Sequence, residues 1–353
     1  MANPNNVRIA RESRGLSQKE LAQQTGINQA TLSKFEKGLA RLSDDMISKL
    51  SVCLDYPISF FDRTIIQSNK STLFYRKRQS IAAKQLSILE SRIDVLSGVI
   101  DELSDSIDIP SLTIPSCQVT SELSPEEIAF RIRQVLNVKP GPVKEIVKLL
   151  EKNGVIVIFL DNCECEKFDG LTRFTSKNIP VVWINNSMPN DRKRFSLAHE
   201  LGHIVMHLRT IDIEQSEEDI ESQANLFASE FLMPANECRV DFFNLKMKDL
   251  ALKKAYWKVS KQSIIVHAKQ IGCIYYKTES YFFITLGRMG ERKVESVHVD
   301  IDEPMILKKM TQLHLTELDY TMEEFVDLIG LNNKDIEQIL LKKPTPKRIS
   351  IVF

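Results

Sequence analysis

The sequence RFSLAHELGH, residues 194–203, contains the pattern His-Glu-x-x-His within a segment of helical spacing. Apolar residues recur at intervals of three and four over residues 191–207, and no proline interrupts them. A spacing of four places His199 and His203 on one face, about 6 Å apart along the axis, so both imidazoles can reach one metal ion. Glu200 lies about 100° around the helix from His199. That position, beside the metal, suits a general base for an attacking water.

A third ligand is expected from the next helix, EEDIESQANLFASEFL, residues 217–232. Helical geometry puts Glu221 about 60° from the centre of the apolar face of this helix. Glu230 lies about 120° from the centre, on the far side. Glu217 also lies near the apolar face, but at the helix end. We therefore expect Glu221 to be the carboxylate ligand, and Glu217 is the alternative.

Two other residues of the first helix also need an interpretation. His207 continues the face of the two ligands but lies about 12 Å along the axis from His199, too far to share one ion with it. We expect His207 to support the site or to lie at the surface. The glycine and final histidine of the longer metzincin pattern are missing downstream. Gly202 removes a side chain where a strand or a substrate would come close.

The N-terminal residues predict a helix-turn-helix. Ser17-Gln18-Lys19-Glu20 is a capping box that begins a helix, and Thr25-Gly26-Ile27-Asn28 ends it. Asn28 then caps a second helix, which ends before Gly38 and would enter a major groove of double-stranded DNA. Its outward side chains are Gln29, Ala30, Thr31, Ser33, Lys34 and Lys37. Glutamine can bind adenine through two hydrogen bonds, and lysine suits guanine or phosphate.

Composition limits the classes of protein that the chain can represent. Its 353 residues are enough for two or three domains. Lysine plus arginine equals aspartate plus glutamate at 47 each, which argues against a general polyanion binder. Six cysteines are sparse for this length and fit reduced thiols, and no apolar run could span a bilayer. We expect a soluble cytoplasmic protein with no membrane partner. Because residues 1–62 are nearly neutral, a module that contacts only proteins is the alternative to DNA binding.

The remaining segments predict helices around a small sheet. Strands are expected at residues 155–160 and at 179–185, where Pro180 suits a strand start or an edge. Residues 275–286 and 293–299 are interpreted as a hairpin. Further helices are expected at residues 79–104, 125–136 and 141–152, and the segment that follows residue 232 is expected to be helical to about residue 271.

Two motifs in the N-terminal segment resemble the Cro/repressor (Xre) family. They are Gln18-Lys19-Glu20-Leu21-Ala22 and Ser33-Lys34-Phe35-Glu36-Lys37-Gly38. The resemblance implies that the DNA-reading residues are Gln18, Gln29, Ala30 and Lys34.

The middle of the chain resembles the ImmA/IrrE metallopeptidase family. The resemblance rests on residues 194–203, on Glu221-x-x-Ala224-Asn225-x-Phe227-Ala228, and on Leu232-Met233-Pro234. It implies Zn²⁺ as cofactor, with His199, His203 and Glu221 as ligands and Glu200 as the catalytic base. One departure is His267, which stands where many relatives have an arginine.

Together these features predict a mainly α protein with a small mixed sheet (α+β). The expected domains are an all-α helix-turn-helix domain at 1–62, a basic helical linker at 63–120, a zincin-like metallopeptidase domain at 121–272 and an α+β region at 273–353. Characterised members of the peptidase family cleave Cro/repressor-type transcription factors. The resemblance therefore implies a transcriptional regulator that binds DNA and cleaves a repressor-type protein, and we expect the protein to be a homodimer. The alternative is an Xre-type repressor or antitoxin whose C-terminal domain senses a ligand or binds a partner without proteolysis.

Overall fold

The computed structural model describes residues 2–63, 82–161, 168–209, 216–292 and 294–341. Residues 64–81, part of the region 63–120 that is predicted to be a basic helical linker, lie outside these ranges. Over the described residues the fold is mainly helical with a small mixed sheet, as predicted. None of the described helices combines the length and apolar character needed to cross a membrane.

The N-terminal helices follow the predicted capping signals. Both halves of the capping box between Ser17 and Glu20 are formed, and Gly26 ends the helix in the left-handed conformation at φ 70°. Asn28 caps the following helix by accepting a hydrogen bond from the backbone N–H of Ala30. The helices of this part are α1 (Pro4–Ser13), α2 (Gln18–Thr25), α3 (Gln29–Glu36), α4 (Asp44–Leu54) and α5 (Ile58–Asp62).

A three-stranded sheet lies between two groups of helices. Its strands β1 (Ile156–Leu160), β2 (Gly170–Phe174) and β3 (Pro180–Asn185) lie in the order β1-β3-β2. β3 is central, parallel to β1 and antiparallel to β2. Pro180 therefore begins a central strand, where its missing N–H is tolerated at the first position.

The two faces of the sheet pack against different helices. Trp183 and neighbouring side chains on one face join a core with the N-terminal helices, α6 (Ala83–Leu103) and the C-terminal helices. Val182 and Ile184 on the other face join a second core. That core contains α7 (Pro125–Val135), α8 (Ile146–Lys152), α9 (Asn190–Met206) and α10 (Glu217–Leu232). The sheet thus separates the N-terminal helices from the predicted metal site.

Helices α9 and α10 pack closely at Gly202. A Cβ atom built on Gly202 would lie 3.1 Å from Cδ1 of Phe227 on α10. We expected this glycine to admit a strand or a substrate. The structure instead shows that the glycine admits the neighbouring helix, which carries Glu221.

The C-terminal region differs from the prediction. The interpretation of residues 275–286 as part of a hairpin is wrong, because Tyr276–Arg288 forms a helix. Phe282 and Leu286 are four residues apart and both are buried, so they lie on one face of the helix. The burial of this face stabilises a helix here, although the aromatic and β-branched residues of the segment also favour strands. The expected α+β region is therefore helical, since the described residues 273–292 and 294–341 contain no strand. The helices after α10 are α11 (Ala235–Phe242), α12 (Leu250–Trp257), α13 (Lys261–Gln270), α14 (Tyr276–Arg288), α15 (Ile306–Thr316) and α16 (Met322–Ile329).

Candidate metal centre

The structure brings together three of the predicted site residues, His199 and His203 of α9 and Glu221 of α10. The Nε2 atoms of the two imidazoles are 2.9 Å apart. The carboxylate of Glu221 lies 3.4 Å from Nε2 of His199 and 3.5 Å from Nε2 of His203. A tetrahedral ion with bonds of about 2.1 Å holds its ligands about 3.4 Å apart. The three side chains can therefore contact one ion without rearrangement of the helices.

Their chemistry also suits a divalent ion. Within the described ranges, this is the one group of three metal-binding side chains whose donor atoms lie close together, within 4.8 Å of one another. Two imidazoles and a carboxylate leave a fourth tetrahedral position open, as catalytic zinc sites do. Burial lowers the pKa of His203, which favours the neutral imidazole that metals bind. Glu217, the alternative ligand, is exposed in the first turn of α10 and lies outside the group.

The predicted base, Glu200, is buried beside this group and is held by the sheet. The hydroxyl of Thr172 on β2 donates a hydrogen bond of 2.8 Å to Oε2 of Glu200. Gly170 on β2 makes room for β3, because a Cβ atom there would lie 2.7 Å from Cδ1 of Ile184. The same position is in ordinary contact with Glu200, 3.7 Å from its Cγ. The carboxylate is thus fixed at one oxygen and positioned next to the imidazoles. The sequence did not predict the role of Thr172, since nothing local marks this residue.

The outer nitrogens of both imidazoles also have partners. His199 Nδ1 lies 3.0 Å from Oδ1 of Asn225 on α10. His203 Nδ1 lies 3.0 Å from Nδ1 of His207, whose Nε2 lies 3.0 Å from Oε1 of Gln223. Burial lowers the pKa of His207 to about 4. The sequence motif included Asn225 without giving it a role, and Gln223 carried no signal.

Arg194 positions the helix that carries the imidazoles. Its side chain is fully buried, and it donates to the backbone carbonyls of Val143, Lys144 and Lys258. Burial lowers the pKa of Arg194 to about 10, still well above neutrality. A planar cation with several donors can satisfy three carbonyls that lie in two segments, one at residues 143–144 and one at Lys258. This contact explains the arginine at the start of the motif.

His267, the residue that departs from the family pattern, is also buried. Its Nε2 lies 2.7 Å from the carbonyl oxygen of Met233. Glu230 accepts a hydrogen bond from the backbone N–H of Ala235. Both residues thus hold the chain after α10 and lie outside the metal-binding group.

The predicted DNA-reading residues lie on α3 and at the start of α2. Gln29, Ala30, Lys34 and Lys37 are exposed, and Thr31 and Ser33 are partly buried. Gln18 donates a hydrogen bond of 2.7 Å to Glu36. Glu36 also pairs with the buried Arg11 at 2.7 Å, so one side of the Gln18 amide is held within the module.

Comparison with protein families identifies both parts of the molecule. Residues 7–61 match the helix-turn-helix family, and residues 151–269 match the M78 peptidase family, described as the IrrE N-terminal-like domain. The chain therefore joins an Xre-type helix-turn-helix to an IrrE-like domain, as predicted. No curated protein matches the chain significantly.

Proposed function

We propose that this protein is a DNA-binding transcriptional regulator that cleaves a repressor-type protein at a zinc-dependent endopeptidase site. The proposal rests above all on the grouping of His199, His203 and Glu221 beside the buried Glu200. The match to an M78 peptidase domain supports a metallopeptidase. The helix-turn-helix supports DNA binding and regulation.

The donor set favours zinc, because imidazole and carboxylate ligands in a tetrahedral group with one open position are typical of catalytic zinc sites. When bound, zinc supplies Lewis acidity, which polarises a carbonyl group and lowers the pKa of water toward about 7. Glu200 takes the proton of the attacking water and delivers it to the leaving amine. The hydrogen bond from Thr172 holds one carboxylate oxygen of Glu200 in place beside the imidazoles.

The domain division follows from the same proposal. Residues 1–62 bind double-stranded DNA, residues 63–120 connect the parts, and residues 121–272 carry the peptidase site. Residues 273–353 form a C-terminal region, of which the described residues 273–292 and 294–341 contain helices and no strand. We propose that the protein acts as a homodimer, since two helix-turn-helix modules one helical turn apart recognise a symmetric operator. DNA binding would then place the peptidase site beside repressors bound at the same promoter.

Comparison of protein N-termini tests the peptidase activity directly. Cells that express the wild-type chain should contain new N-termini from a repressor-type protein, and cells that express Glu200→Gln should lack them. Glu217→Gln, at the exposed start of α10, is the matched control and should cleave normally. Zinc content and circular dichroism of purified Glu200→Gln should equal those of the wild type. Equal cleavage by Glu200→Gln would contradict the proposal, and an absence of new N-termini would favour the regulator without proteolysis.

A further inference from the structure

We infer that His207 and Gln223 form a hydrogen-bond relay that holds His203 in the tautomer and orientation required for metal binding. The inference rests on the proposed metal site but concerns residues outside its ligand set. His207 is one turn after His203 on α9, and Gln223 is on α10, two residues after Glu221. The relay therefore connects the two helices on the side of His203 that faces away from the ion.

The geometry fixes which nitrogen of His203 is free to bind metal. Nδ1 of His203 and Nδ1 of His207 lie 3.0 Å apart, so one of them donates a hydrogen and the other accepts it. Nε2 of His203 faces Glu221 and His199, and it can bind an ion only through its lone pair. The hydrogen of His203 must then reside on Nδ1, and Nδ1 of His207 must accept it.

Gln223 determines the direction of this relay. Once Nδ1 of His207 accepts, its Nε2 carries the hydrogen and needs an acceptor. The side-chain oxygen of Gln223 lies 3.0 Å from that nitrogen. If the amide NH₂ faced His207 instead, every hydrogen in the relay would reverse, and His203 would carry a hydrogen on the nitrogen that faces Glu221. The orientation of one amide thus distinguishes a metal-binding state from one that cannot bind.

Helix α10 also supports His199, in this case through a single direct hydrogen bond. Oδ1 of Asn225 lies 3.0 Å from Nδ1 of His199 and fixes its tautomer in one step. α10 therefore supplies the carboxylate ligand and an acceptor for each of the two histidine ligands. Outer partners of this kind orient metal-binding histidines and raise their basicity. His207 and Gln223 are accordingly positioning residues for His203.

The test is the zinc affinity of the full chain, measured by competition with a chelating indicator. His207→Leu should bind zinc about 10- to 100-fold more weakly, the usual loss when such a partner is removed. His207→Asn should recover most of the affinity, because its side-chain oxygen can accept the hydrogen of His203 Nδ1. Gln223→Glu should bind at least as tightly as wild type, since a carboxylate can only accept at the end of the relay.

Two controls separate this role from a structural one. His298→Leu removes an exposed histidine and should leave zinc affinity unchanged. The melting temperatures of the metal-free variants should equal that of the metal-free wild type, because the relay acts on the ligand rather than on the fold. Wild-type affinity in His207→Leu, or failure of His207→Asn to recover binding, would overturn the inference. A wild-type chain that binds no zinc would instead overturn the proposed function.

Discussion

The N-terminal module and the candidate metal centre hold their predicted functional residues in opposite ways. In the module, Gln29 and Lys34 are exposed on α3, which is capped by Asn28 and packs into the core that the N-terminal helices share with α6 and the C-terminal helices. In the metal centre, His203 and Glu200 are buried, and each is held by a neighbouring element. Exposed residues on a rigid helix suit a large partner such as DNA, and buried donors suit a small ion.

The helix caps of the module are local in sequence, although other contacts there, such as the Arg11–Glu36 pair 25 residues apart, are not. The caps of α2 and α3 join residues two or three apart in the chain. Thr172 and Glu200 are 28 residues apart, and Arg194 contacts carbonyls 50 to 64 residues away. Substitutions of exposed residues on α3 should therefore change DNA binding without changing stability, whereas substitution of a buried residue with distant partners, such as Arg194, should destabilise the fold.

The largest expected effect is on stability, at Arg194. Arg194→Met leaves three carbonyls without their buried donor, and it should lower the free energy of unfolding by about 4 kcal/mol. Chemical denaturation of the full chain measures this. Arg192→Met is the control, because Arg192 is exposed in its ion pair with Asp169, and the loss should stay below about 1 kcal/mol. Equal losses in both variants would break the distinction between the buried and exposed arginines.

A second expected effect is the pH dependence of stability, which should have opposite signs for Glu151, on α8, and for Glu20, in the N-terminal module. Burial raises the pKa of Glu151, on α8, to about 7 in the folded state, although it accepts hydrogen bonds from the N–H groups of Met305 and Ile306. Its contribution is fully present below pH 4.5 and is lost as the pH rises to about 7, a change of about 3 kcal/mol. Glu20 has its pKa lowered by the capping box, so its contribution is lost as the pH falls below 4.5.

Glu151→Gln isolates this effect. The variant should lose the decline in unfolding free energy between pH 5 and pH 7 and be more stable than wild type at pH 8. Denaturation at several pH values gives both curves. A decline as steep as in wild type would show that another group is responsible.

A smaller effect is expected for the exposed residues of α3. Gln29→Ala should weaken binding to an operator, identified by footprinting, by about 1–3 kcal/mol, because a base contact is lost. Its free energy of unfolding should change by less than about 0.5 kcal/mol, since the side chain is exposed. Val52→Ala, at an exposed position of α4, should change neither quantity. A large loss of stability in Gln29→Ala would contradict the separation of binding from folding in this module.

The sequence predicted those features that depend on local signals. Helix α10 begins and ends at the predicted residues, because Ser216 and three acidic residues mark its start. The helical phase then placed Glu221 on the side that faces α9, and the structure brings it to both imidazoles. These predictions needed only the geometry of one helix.

Features that depend on contacts between distant segments could not be predicted. Nothing near Thr172 in the sequence indicates that β2 will lie against Glu200, because that contact requires the sheet order β1-β3-β2. The helix at Tyr276–Arg288 was mistaken for strands because its aromatic residues favour both states locally. The packing of this segment against α13 stabilises the helix over the strand.

The most direct test of the account is the zinc stoichiometry of the purified full chain after dialysis, measured by elemental analysis. We expect one zinc ion per chain in the wild type and in Glu200→Gln, since Glu200 lies beside the ligand group and not within it. We expect Glu221→Gln to retain far less, because an amide replaces the carboxylate that lies between the two imidazoles. A wild-type chain without zinc, or equal zinc in Glu221→Gln, would contradict the central claim that these three side chains bind the ion.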